Sequence, residues 1–315
     1  GATGSYNHAG NVTVASGGVF NFRESGTNTG TYALNGTGAQ VNFTAGTQSF
    51  NAGSDISGTG VFNVNGGTVT VASNTSADNL QLSSGILNGA ATLTVDNGFT
   101  WSGGTMSGAG TTTVVSGAGL TLNLVPGSVV LDGRTFNQQS TSGTWTGVNS
   151  IFLRNGAAFN NSGTLTATGT TTLNNDAGTA SFTNSGTLAR SGAGTTTNFN
   201  ASGGTAFTVS NTGIGVMDVQ SGTLAIGVAS GGLGATGSYN HAGSVTVASG
   251  GVFNFRESGT NTGSYTLNGT GNQVNFTAGV QTFNAGSDIS GTGVFNINGG
   301  TVTVASNTSA DNLQL

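Results

Sequence analysis

Carboxylates are the side chains of this sequence with the most capacity for chemistry. Glu24, Asp55, Asp78, Asp96, Asp132, Asp176 and Asp218 are spread singly along the chain ahead of Gly234. Two carboxyl groups a few ångströms apart can act as acid and base, or acid and nucleophile, on a glycosidic bond. The separation of Asp55 from Asp78 would bring them together in a chain that retraces its path every ~20 to 27 residues. Isolated acids at turns instead accept backbone hydrogen bonds, and the scatter favours that role. His8 and His241 occupy equivalent positions in the two copies of a long repeat. Neither has a third group beside it, and both read as structural, solvent-facing residues. No Ser-His-Asp triad can be assembled. The sequence has no Cys, hence no disulfide, thiolate nucleophile or Cys-based metal site. Calcium-binding GGxGxD nonapeptides and EF-hand loops are also missing from it, so neither a cofactor nor a metal is expected.

Surface contacts are the other candidates. Arg23-Glu24 and the copy Arg256-Glu257 each follow a Phe-Asn-Phe run and could dock another chain or a glycan carboxylate. As exposed ion pairs they would contribute at most about 1 kcal/mol. Trp101, Trp145, Tyr6 and Tyr32 could stack on sugar rings. Trp101 alternates with Phe99 and belongs to a core, whereas Trp145, flanked by Thr144, Thr146 and Gly147, is expected at the surface. The threonine runs from Thr111, Thr170 and Thr195 raise an ice-binding reading, but such rows need Thr-x-Thr in register on every coil, and these runs are out of register.

The elements that would position these residues follow from composition. Only 5% of the 315 residues carry a charge, against roughly a quarter in ordinary soluble domains. The five basic residues are all Arg, the net charge is -5, and there is no basic patch for nucleic acid. No apolar run is long enough for a membrane-spanning helix. So little charge argues against the common form of disorder. The 58 Gly and the many Thr, Ser and Asn are poor helix formers, because Gly loses backbone entropy and short polar side chains compete for backbone hydrogen bonds. What remains is β structure with many turns.

A long repeat organises the chain. Residues 1–82 return as 234–315 with seven differences: Asn11/Ser244, Thr31/Ser264, Ala33/Thr266, Ala39/Asn272, Thr47/Val280, Ser49/Thr282 and Val64/Ile297. Residues 1–233 read as one complete tandem unit and 234–315 as the start of the next, an excerpt of a longer array forming one continuous rod. A finer period runs inside the unit. Apolar pairs at alternate positions, such as Val12/Val14, Phe20/Phe22, Val41/Phe43 and Val69/Val71, mark short strands with one buried face. Breaks such as Asn35-Gly36, Asn65-Gly66, Asn97-Gly98, Asp132-Gly133, Asn155-Gly156 and Asn298-Gly299 suit positive φ at tight corners.

Three strands and three corners make a coil of about 20 to 27 residues, and NNSGTL at 160–165 is echoed by TNSGTL at 183–188. A unit this short cannot bury its apolar side alone, so coils must stack. The in-phase echo favours a β-solenoid over an antiparallel sandwich or barrel, which would show hairpins at regular spacing.

The phrases FTWSGGTMSGAGTTTVVSGAGLTLNL (99–124), FNNSGTLTATGTTTL (159–173), FTNSGTLARSGAGTT (182–196) and VMDVQSGTLAIG (216–227) resemble the β-strand-repeat regions of giant bacterial surface and secreted proteins, the haemagglutinin-like and autotransporter-passenger-like adhesins. That resemblance implies an all-β, right-handed parallel β-helix in an extracellular, cell-surface setting. The expected function is a structural and adhesive segment without catalysis. Its expected partners are neighbouring solenoid units or copies of itself, end to end or lateral, together with glycans or another cell surface. A polysaccharide-binding or polysaccharide-cleaving β-helix is the alternative.

Overall fold

A computed structural model describes residues 4–202, 205–227, 232–234 and 237–315. Among these there is no helix, and parallel strands stack as a β-solenoid of about 13 turns. The chain forms two compact units, Gly1–Gly143 and Thr144–Leu315, whose boundary does not coincide with the end of the first repeat copy.

In the first unit each coil contributes to three parallel stacks. One begins with Asn11–Val14, Thr31–Leu34 and Asp55–Gly58; the second with Val19–Phe22, Gln40–Phe43 and Val61–Val64; the third with Gly26–Asn28, Thr47–Phe50 and Thr68–Val71. Period-2 alternation turns the apolar residues inward, and register lines them up. Phe20, Val41, Phe62, Leu80, Phe99 and Leu120 form one column, and Phe22, Phe43, Val64, Leu82, Trp101 and Leu122 the next. The Phe22 and Phe43 rings lie parallel, 4.6 Å between centroids. Each such side chain contributes about 1.5 to 3 kcal/mol on burial.

The second unit repeats the scheme, with Leu173, Phe199, Ile226, Phe255, Phe276 and Ile297 in one column. Coil length varies more widely than the expected window. The coil from Phe62 to its partner Leu80 is short, whereas the one from Thr208 to its partner Ser238 is long. The corners absorb that variation. Gly36, Gly66, Gly133, Gly156 and Gly299 adopt positive φ as their Asn-Gly or Asp-Gly settings suggest. Asn97-Gly98 does not turn; it lies inside the strand Thr92–Trp101, where the register slips against Thr75–Leu82.

One corner of the second unit is sealed by a buried amide ladder. Asn161 Nδ2 donates to Asn184 Oδ1 (2.7 Å) and Asn184 Nδ2 to Asn211 Oδ1 (2.8 Å). The same Nδ2 atoms donate across the corner to the carbonyls of Thr187 and Val216. His241 ends the series: Asn211 Nδ2 meets its Nδ1 at 3.2 Å and its Nε2 lies 3.1 Å from Ser264 O. An amide N–H can only donate and a carbonyl only accept, so the ring is the neutral tautomer with hydrogen on Nε2. His8 and His241 are thus buried, contrary to the solvent-facing expectation: the ring nitrogens of His241 reproduce the donor and acceptor of a corner Asn, and His8 Nε2 lies 3.3 Å from Thr31 O.

Burial lowers the pKa of His241 to about 4, against about 6.5 in an unfolded chain. Between those values the unfolded state binds the proton and the fold does not, so stability falls as pH drops from about 6.5 to about 4. The loss amounts to about 3 kcal/mol, fully restored above about pH 6.5. His241→Asn keeps both hydrogen bonds and removes the titration. Urea unfolding at pH 7 and pH 4 should show a difference smaller by about that amount in the variant, with stability at pH 7 changed by less than about 1 kcal/mol.

Candidate functional site

The residues singled out for surface contact divide. Arg23 is exposed and Glu24 half-buried, while Arg256 and Glu257 are both half-buried. Glu257 accepts a hydrogen bond from the Leu233 amide at 2.8 Å, and burial raises its pKa. It is therefore partly committed to the corner beside it. Trp145 is fully buried, which corrects the expectation of an exposed stacking residue. In the strand Gly143–Gly147 it holds the inward phase while Thr144 and Thr146 face out. Its ring meets Phe199 edge-on at 6.4 Å. A lone aromatic between threonines gave no second apolar residue from which to read that phase.

Register decides where the carboxylates stand on neighbouring coils. Ile56 pairs with Ala77, so Asp55 stands opposite Ser76 and not Asp78; the Ser76 hydroxyl is 3.5 Å from Asp55 Oδ1. Asp78 is displaced beyond that position and accepts the Gly58 amide at 2.6 Å. Asp96 follows on the next coil, and its pKa is raised by burial and then by the charges of Asp78 and Asp55. Among the described residues no group of acids and histidines is arranged to hold a metal ion. The threonine runs turn alternate members inward: Thr171 and Thr197 are buried with their hydroxyls 3.1 Å apart.

Two arginines that sequence reasoning left without a role lie inside the fold. Arg134 is fully buried in the first unit. Its Nε donates to Thr112 Oγ1 (2.8 Å), Nη1 to Gly89 O (3.0 Å) and Ser107 O (3.2 Å), and Nη2 to Thr111 O (3.0 Å) and Ala91 O (3.4 Å). The guanidinium thus staples carbonyls of two preceding coils, and burial lowers its pKa to about 10. In the second unit Arg190 bonds Ala167 O (2.7 Å) and Gly192 O (3.0 Å). The sequence signal was faint: Arg134 follows the Asp132-Gly133 corner, where a charge reads as exposed.

Outward positions carry a second set of amides. In the first unit Asn42 donates to Asn21 (3.0 Å) and Asn63 to Asn42 (3.2 Å). In the second Asn275 donates to Asn254 (2.8 Å) and Asn296 to Asn275 (2.7 Å). The latter row borders an open cavity of about 720 Å³ lined also by Gln273, Thr277, Asn298 and Gln314. Its wall is uncharged in side chain and rich in paired donors and acceptors.

Arg134→Met should destabilise the first unit by about 2 to 4 kcal/mol, since it leaves several buried carbonyls unpaired. Arg134→Lys should lose less, because an ammonium has three donors for the five acceptors. Hydrogen exchange of the amides around residues 105–138, compared between the two variants, checks the order. Family models, curated proteins and solved structures were each compared with the chain, and none matches it.

Proposed function

We propose that the chain is a structural and adhesive repeat segment of a large bacterial extracellular protein, a stiff rod or fibre that attaches a cell to a surface or builds matrix, without catalysis. The observation that carries this reading is the register of the two repeat copies. Asn11 pairs with Thr31 and Thr31 with Asp55; Ser244 pairs with Ser264 and Ser264 with Asp288. The later copy makes these pairings on top of the coil that contains Val216–Ile226. A coil that folds in one register on a foreign neighbour can be copied without redesign, which suits an element whose purpose is length. Its partners in this role are adjoining solenoid units, copies of itself, and glycans at a cell surface.

A second reading, polysaccharide binding, is favoured by the amide-lined cavity at Asn254, Asn275 and Asn296. The lining contains no Asp or Glu, so it supports recognition of neutral sugar hydroxyls rather than cleavage, which needs paired carboxyl groups.

Single molecules tethered at both ends and stretched should lengthen in steps of about 60 to 100 Å, one coil of extended chain at a time. Cells displaying the chain should resist shear from a surface better than undisplayed cells. Extension without steps together with unchanged attachment would reject the structural and adhesive reading. Binding on a neutral glycan array, lost in Asn275→Leu, would favour the second.

A further inference from the structure

The 17 Phe, 4 Tyr and 2 Trp of this chain lie almost entirely in the interior. Among the described residues Tyr6, Phe20 and Phe152 are half-exposed, and every other aromatic ring is buried. Two of the three still belong to the core: Tyr6 meets Phe22 edge-on, 5.0 Å between centroids, and Phe20 stands in the inward column of Val41. Phe152 differs in phase. In the strand Ser150–Arg154 it lies between Ile151 and Leu153, both fully buried, so period-2 alternation turns its ring outward. A ring there forgoes the stabilisation that burial would give it, and the outward positions around it belong to Ser150, Thr172, Asn174 and Asn198.

The neighbours of this ring are fixed in place. Phe152 pairs with Asn174 on the next coil, whose Nδ2 donates to Ser202 Oγ at 3.1 Å. Directly after that pair the ladder shifts: Leu153 stands opposite Asn175, Arg154 stands opposite Ala177, and Asp176 is the extra residue. A β-bulge re-aims a side chain, and this one brings Asp176 to Arg154. Arg154 Nε donates to Asp176 Oδ1 (2.7 Å) and Nη2 to Oδ2 (2.6 Å), a bidentate fork. The guanidinium carbon also lies over the Phe152 ring, 5.7 Å from its centre. The result is an apolar plate bordered by an amide, a carboxylate and a guanidinium, the last two cancelling in charge. All of these residues belong to the second unit.

We propose that this platform binds a neutral polysaccharide: the C–H face of one pyranose ring stacks on Phe152, and hydroxyls beside it bond the Asp176 carboxylate and the Asn174 amide. Chemistry selects that class of ligand. A pyranose has an apolar C–H face and hydroxyls around its rim, which matches an aromatic plate rimmed by donors and acceptors. A carboxylate oxygen that accepts one bond from an arginine keeps a lone pair for a hydroxyl. Arg154 is neutralised by Asp176, so the platform offers no net positive charge to a uronate, sulfate or phosphate. The net charge of -5 disfavours polyanions further. Beside the plate an outward row runs through Ser150, Thr172 and Asn198, hydroxyls and an amide one strand spacing apart, over which the polymer continues. The ligand class rests on the polysaccharide-binding reading, but the residues differ from Asn254, Asn275 and Asn296, so the two can fail separately.

Affinity electrophoresis of the full chain in gels containing dextran, galactomannan, xyloglucan or hydroxyethylcellulose, with polygalacturonate as the acidic comparison, tests the site. At least one neutral polymer should retard the wild type, and polygalacturonate should not. Phe152→Thr, a substitution suited to an outward strand position, should weaken that binding by about tenfold or more. Phe152→Tyr should retain it, and Asn275→Leu should leave it unchanged. Asp176→Asn uncovers the Arg154 charge, so neutral binding should fall and retention by polygalacturonate should appear. Should Phe152→Thr lose its far-UV β signal, Asp176→Asn, which keeps the side-chain shape, supplies the test. Retardation that Phe152→Thr leaves intact, or that Asn275→Leu alone abolishes, would overturn the proposal and leave the polysaccharide reading in place. A wild type retarded by none of the neutral polymers would overturn both.

Discussion

The parallel register between successive coils is the constraint on which the rest of the structure depends. In a parallel ladder each strand bonds the coil before it and the coil after it, so every corner must return the chain to the same column one strand spacing further along. Side-chain parity is fixed at the same time, because a one-residue slip would turn Phe20, Val41 and Phe62 out of their shared column. Conformational freedom is left to the corners, which is why coils as unequal as Phe62 to Leu80 and Thr208 to Ser238 keep their strand pairing in step. A single Pro in 315 residues is consistent with a backbone whose N–H groups are nearly all needed for the ladder.

Corners then create a second demand. Where the chain bends, carbonyls face inward without a strand partner, and a buried carbonyl left unpaired costs about 1 to 3 kcal/mol. The fold meets that demand with side chains that reach back into the corner. Asn184 both accepts from Asn161 and donates to Asn211 and Val216 O, so one residue type copied coil after coil seals the corner. Arg134 does the same for several carbonyls at once. Its buried cation bears a desolvation cost, visible in the lowered pKa, and the hydrogen bonds to five acceptors offset it.

Strand positions were legible in the sequence because alternation is local. Val12/Val14, Phe20/Phe22 and Val69/Val71 each declare their inward phase within three residues. Positive-φ corners were legible at Gly36 and Gly66 for the same reason. Trp145 was misplaced because phase needs a second apolar residue two positions away, and Gly143 and Gly147 supply none. The histidines were misplaced because an imidazole and a corner amide share hydrogen-bonding roles but not composition class. Asn161, Asn184 and Asn211 stand immediately before S-G or T-G, so the echo around residue 162 carried the ladder. Without coil geometry that echo could be read only as a period. Register also decided the acids: the pairing of Ile56 with Ala77 sets Asp55 opposite Ser76, a displacement from Asp78 so small that no spacing argument resolves it.

The seven differences between the copies follow the same physics. Five of them, at 11/244, 31/264, 33/266, 47/280 and 49/282, lie on outward positions, where a ladder tolerates any side chain that suits a pleated surface. Two of these are partners: Thr31 Oγ1 donates to Asn11 Oδ1 at 2.7 Å in the first copy, and both become Ser in the second, at the paired positions 244 and 264. Ala33/Thr266 gives the later copy a hydroxyl contact with Ser290 at 3.5 Å. Only two differences face inward. Val64/Ile297 adds one methylene to a column already built of Phe and Leu. Ala39/Asn272 puts an amide into a buried corner, where its Nδ2 reaches Val247 O at 2.8 Å. That inward polar change is therefore of the kind the corners already use, and the one exchange within a column, Val64/Ile297, keeps it apolar.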